Sequence, residues 1–91
     1  RALVSPREDG SWLIDGMLPI DEFETLVGNP DLVQEREFDT VAGLVLDRLG
    51  HLPEAGEKLR LPGLTLEVVD MDGRRIDTVL VSRDKATAPT E

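Results

Sequence analysis

The carboxylates Asp15, Asp21, Glu22 and Glu24, and the DMDG stretch at residues 70–73, are the groups whose types and spacing invite a chemical reading. Paired carboxylates can perform acid–base work or hold a hard cation. DMDG opens like a calcium loop. Such a loop starting at Asp70 needs oxygen ligands at its third and fifth positions and a glutamate at its twelfth. Asp72 satisfies the third, but the fifth is Arg74 and the twelfth is Val81. Arg74 and Arg75 also put positive charge where the cation would sit. DMDG is therefore read as a hairpin tip. For Asp15, Asp21, Glu22 and Glu24 the reading is helix capping plus a solvated face.

The remaining candidates are few. His51 follows a helix stop, where a cation is mildly favoured by the helix dipole, and a structural role is expected for it. Ser11 and Ser82 have no base nearby in sequence. The chain has no cysteine, which removes disulfides, thiolate metal sites and a cysteine nucleophile. A single histidine removes a multi-histidine zinc site within one chain. Neither a GxGxxG nor a Walker-type phosphate loop is present. No catalytic residue and no metal ligand is assigned, and cofactor-binding residues stay unassigned. A nucleotide in a pocket without a linear motif stays open.

The elements that must position these groups follow from punctuation and periodicity. SWLIDG, residues 11–16, is a short apolar run closed by Asp15-Gly16, which predicts a strand and a turn. Gly16 is expected to take a positive φ there. Residues 17–28 start extended and become helical. Asp21 is the expected N-cap and Glu24 its capping-box partner. Phe23, Leu26 and Val27 share one face, and Gly28 before Asn29-Pro30 ends the helix. Residues 29–37 form a polar connection.

FDTVAGLVLDRLG, residues 38–50, predicts the second helix, capped by Asp39 or Thr40, with Val41, Leu44, Val45 and Leu49 along one stripe. Gly43 inside it costs about 1 kcal/mol relative to alanine, which points to close approach of a neighbouring element. Residues 51–63 read as a turn-rich link with one short strand near 57–61. Trp12, in the first strand, is expected in the core, with a partner interface as its next reading.

A two-residue turn at Asp72-Gly73 sets a register for the hairpin. Met71 then faces Arg74, Asp70 faces Arg75, Val69 faces Ile76, Val68 faces Asp77, Leu66 faces Val79 and Leu64 faces Val81. Leu64, Leu66, Val68, Val79 and Val81 line one apolar face. Val69, Ile76 and Leu80 fall on the other.

The 91 residues support one small domain with a modest core. Residues 1–8 are read as a lead-in, 9–83 as the domain and 84–91 as a polar tail. Acidic residues number 19 against 10 lysines and arginines, a net charge of −9. Nucleic-acid binding and adhesion to an anionic membrane surface are therefore not expected. No apolar run is long enough to cross a bilayer, and no signal peptide is visible. The chain starts with Arg1 rather than methionine and is read as a piece of a longer protein.

DGSWLIDGMLPIDEF, then FDTVAGLVLDRLGHLPEAGE, then LEVVDMDGRRIDTVLV, in this order and spacing, resemble one family. The chain is similar over residues 9–83 to the CorC/HlyC transporter-associated domain. That module lies at the C-terminus of CBS-domain proteins described as hemolysin-like or as magnesium and cobalt efflux proteins. The resemblance implies an α+β fold similar to the small FAD-binding domain of p-cresol methylhydroxylase-like oxidases. It also implies a cytosolic module beneath a membrane domain and a CBS pair, and it carries over no catalytic residues.

Together these readings predict an α+β domain with a mainly antiparallel sheet of about four strands and two helices on one face. The expected function is a non-catalytic regulatory or interaction module on the cytoplasmic side of the cell membrane. It would modulate magnesium or cobalt transport and dock on its parent protein's CBS and membrane domains, or on a second copy as a homodimer. The alternative is a sensor for FAD or another adenine nucleotide, with Arg74, Arg75 or Lys58 as cationic contacts. A third reading is a divalent-cation sensor using the acidic surface.

Overall fold

Alternation of Leu64, Leu66 and Val68 against Val79 and Val81 builds the longest ladder of the domain, the hairpin of β4 (Leu64–Asp72) and β5 (Arg75–Arg83). The structure is a computed structural model and describes residues 2–34 and 37–84. Three further strands complete the sheet: β1 (Val4–Pro6), β2 (Trp12–Asp15) and β3 (Lys58–Leu61). Their order is β1-β2-β5-β4-β3, and every pairing is antiparallel. The sheet thus has five strands rather than about four. The extra one, Val4–Pro6, lies in the stretch expected to be a lead-in. Sequence periodicity has little to act on in three residues containing a proline, whereas the edge of β2 offers them a complete ladder.

The hairpin register differs from the expected one. The two turn residues are Gly73 and Arg74, so Asp72 faces Arg75 and Met71 faces Ile76. Gly73 sits at φ +62°, the left-handed value that the first central residue of a tight hairpin turn requires. Further down, Leu66 faces Val81 and Leu64 faces Arg83. Two bulges lie between, one at Val69 on β4 and one at Asp77 on β5, where the ladder register skips a residue. A bulge reverses the alternation of side chains beyond it. Ile76, expected on the outer face, is therefore only 2% exposed and joins the core, while Val69 is exposed.

Between β2 and β3 the chain forms α1 (Ile20–Val27) and α2 (Val41–Leu49). Ile20, Phe23 and Val27 of α1 and Val41, Leu44 and Val45 of α2 pack with Ile14, Leu66, Val68, Ile76, Val79 and Val81 in one core. The outward positions of the sheet, among them Leu13, Thr65, Glu67, Leu80 and Ser82, are only half-buried. Both helices therefore cover one face and leave the other open. Aligned burial of aliphatic side chains on one sheet face is the main stabilising term, at about 25 cal/mol per Å².

The helix N-termini are joined by backbone rather than by the expected capping box. The residue preceding α1 is Pro19, extended and without a side-chain cap, so Asp21 is not the N-cap. Instead the Ile20 N–H donates to the Asp39 carbonyl at 2.9 Å. The Val41 and Ala42 N–H groups donate to the Leu18 and Gly16 carbonyls, each at 2.9 Å. At α2 the cap is Thr40, whose hydroxyl accepts from the Gly43 N–H at 3.2 Å.

Gly16 is a glycine for a different reason from the one expected. Its φ is outside the left-handed region. A Cβ built there would lie 2.3 Å from the Ile76 carbonyl oxygen and 3.2 Å from the Ala42 Cβ. Gly16 is where the sheet, the β2–α1 turn and α2 meet. Gly43 does have a close neighbour: a Cβ there would meet the Phe38 Cβ at 2.7 Å, so the lead-in to its own helix is what approaches.

Candidate functional site

The carboxylates expected to cluster around the first turn are dispersed by the fold. Asp15 closes β2, and its Oδ1 accepts from the Met17 N–H at 2.8 Å, forming a local turn. Asp21 and Glu22 lie exposed in the first turn of α1. Glu24 points the other way and is 4% exposed. Its Oε2 accepts from the Val33 N–H at 2.9 Å, and its backbone carbonyl accepts from the Asn29 N–H at 3.0 Å. Glu24 thus pins the connection after α1, seating Leu32 and Val33 in the core. Helix periodicity offers no sign of this role, because it depends on where the loop returns.

Asp21 and Glu22 instead border a groove between α1 and the sheet edge. Val4, Leu18, Thr25 and Leu26 complete its lining, and its volume is about 400 Å³. The lead-in reading hid this groove, since Val4 belongs to β1.

At the hairpin tip the Arg75 guanidinium donates to Asp72 at 3.2 Å. Asp70 faces Thr78 rather than Arg75. The expected pairing of opposite charges is therefore present two residues along, with Asp72 in place of Asp70 as the acid. Both tip side chains are exposed, and such a pair contributes little. Among the described residues, no three histidines or carboxylates are placed to hold a metal ion.

His51 and Glu57 meet on the link between α2 and β3, Nε2 to Oε2 at 2.7 Å. Glu57 Oε1 also accepts from the Glu54 N–H at 2.9 Å. The Glu57 hydrogen bond and charge raise the pKa of His51. The Glu54 N–H first, then His51, lower that of Glu57. The pair closes an exposed loop.

Ser11 is buried and donates to Asp9, and this hydrogen bond is the main cause of the lowered Asp9 pKa. Ser82 stands on the open face opposite Thr65. Each serine hydrogen-bonds or pairs within its own strand region rather than with His51.

Trp12 is partly buried against the core, with the Arg83 guanidinium 5.2 Å from its ring centroid. Arg83 also donates to the Val27 carbonyl at 3.1 Å, tying β5 to the C-terminal end of α1. The cations named for a nucleotide do not converge. Lys58 lies on edge strand β3, while Arg74 and Arg75 are at the hairpin tip.

A family model for a transporter associated domain, CorC_HlyC, matches residues 5–85. The chain belongs to this family. A CorC_HlyC domain from a Xylella fastidiosa hemolysin, solved in complex with Mg++ and Mn++, superposes with a TM-score of 0.83 at 42% identity, covering 92% of this chain and 100% of that one. The CorC_HlyC domain from Nitrosomonas europaea superposes with a TM-score of 0.84 at 28% identity, covering 92% and 99%. In sequence, a UPF0053 protein of Synechocystis is 46% identical over 97% of this chain and 21% of its own length. The polyamine export protein of Escherichia coli K12 is 37% identical over 93% of this chain and 20% of its own. The CorC_HlyC domain described here thus spans about a fifth of the length of the curated relatives it matches.

Proposed function

We propose that this CorC_HlyC domain is a non-catalytic regulatory module of a larger CBS-domain membrane protein, lying on the cytoplasmic side and modulating cation transport. The observation that carries the reading is the family match over residues 5–85. The dispersal of the carboxylates, histidine and serines fits an interaction role better than catalysis. No helix among the described residues is long and apolar enough to cross a membrane.

Magnesium or cobalt is the first cargo class proposed. The Xylella relative solved with Mg++ and Mn++ supports divalent-cation handling in the family. A second cargo class is the polyamines, favoured by the name of the Escherichia coli relative. Both are small polyvalent cations.

The test compares the full-length protein with a form lacking residues 5–85, in cells deleted for it. Efflux of Mg²⁺, Co²⁺ and spermidine is measured over a range of internal concentrations. The expected result is a changed transport rate, or a shifted half-activating concentration, for one of these cations. Identical transport by the two forms for all three would refute the modulatory role.

A further inference from the structure

The groove between β1 and α1 combines an apolar floor with an acidic rim. Val4, Leu18 and Leu26 form the floor, and Asp21, Glu22 and Thr25 border it. It arises because α1 turns Ile20, Phe23 and Val27 into the core and presents its other side to the sheet edge. Val4 and Leu26 are only partly buried there. Met17, adjacent in sequence to Leu18, is 55% exposed, the most exposed large apolar side chain among the described residues.

We infer that this groove docks a short basic amphipathic segment of the larger polypeptide, with apolar side chains on Val4, Leu18 and Leu26 and Lys or Arg against Asp21 and Glu22. The inference rests on the regulatory-module reading and names its contact surface. Charge complementarity selects a basic occupant, since the carboxylates would repel an acidic one. The size of the groove selects a tethered one. A floor of three aliphatic side chains buries far less than the roughly 1,200 Å² of a stable two-chain interface. A segment of the same chain instead docks at millimolar effective concentration. The curated relatives are about five times as long as this chain, which leaves ample polypeptide to supply it. Strand addition at the sheet edges is disfavoured: β1 has three residues including Pro6, and β3 presents Lys58 and Arg60.

The test places a photo-crosslinking phenylalanine analogue at Thr25 in the full-length protein, and at Ser82 on the open face as a control. The expected product is an intramolecular crosslink from position 25 to a segment carrying Lys or Arg among apolar residues. The Asp21→Asn/Glu22→Gln double variant should lower its yield by about threefold or more. A crosslink to an acidic or wholly polar segment, a crosslink only from position 82, or none at all would overturn the inference. So would saturable amide shifts at Leu18, Thr25 and Leu26 on adding spermidine to the isolated 91-residue chain, which would make the groove a small-polycation site. The transport comparison separates the two levels. If removing residues 5–85 changes transport but no groove crosslink forms, only the docking inference falls.

Discussion

Two residues carry more of this domain than their types announce. Gly16 sits where a Cβ would lie 2.3 Å from a backbone carbonyl, an atom that cannot swing aside. Gly16→Ala should destabilise by about 1–3 kcal/mol through overpacking, read as a lowered urea midpoint at unchanged slope. An unshifted midpoint would show that the β2–α1 turn relaxes freely. Glu24 is the other. Its carboxylate is buried on the Val33 N–H, so Glu24→Ala leaves that donor without this acceptor. The expected cost is about 1–3 kcal/mol, with faster amide exchange at Leu32 and Val33. Exchange as slow as in the unsubstituted chain would mean that the loop is held by its apolar side chains alone.

At the scale of elements, the link between α2 and β3 responds to pH through a paired acid and base. Its clip is the His51–Glu57 contact, exposed to solvent. His51 has its pKa raised above 6.5, so its contribution is complete below that value and is lost as pH rises through the raised one. Glu57 has its pKa lowered below 4.5, so its contribution is complete above that value and is lost as pH falls through the lowered one. The clip is therefore fully formed from about pH 4.5 to 6.5 and opens on either side of a window that extends beyond both values. Following the His51 ring protons by NMR should give a pKa that returns toward 6.5 in Glu57→Gln. A pKa indifferent to that substitution would show that the contact does not persist in solution.

For the whole molecule the dominant fact is a charge of −9 with the carboxylates spread over many elements. Charges in water farther apart than about 8 Å are largely screened at physiological salt. A Mg²⁺ titration at constant ionic strength should therefore give small, non-saturating amide shifts over much of the surface. Saturable shifts confined to Asp15, Asp21 and Glu22 would instead identify the domain as the ion sensor. Diffuse shifts place ion recognition in other parts of the larger protein and leave docking as the domain's contribution.

The α+β class, both helices, β2, β3 and the β4–β5 hairpin were legible in the sequence, because each is set by local spacing of apolar residues and by its Gly or Pro stops. The apolar set Leu64, Leu66, Val68, Val79 and Val81 was legible for the same reason: a register error of two residues preserves the face. The rest needed distant partners. Ile76 turns inward only because bulges at Val69 and Asp77 reverse the pleat. Pro19 replaces Asp21 at the start of α1 because the Asp39 carbonyl receives the Ile20 N–H. Val4–Pro6 becomes a strand because β2 presents an open edge, and with β1 in place the groove against α1 exists. Sequence spacing determines which face of an element is apolar. Only the tertiary structure decides which backbone groups and edges those elements offer one another, and the candidate surface of this domain is built from that second kind of information.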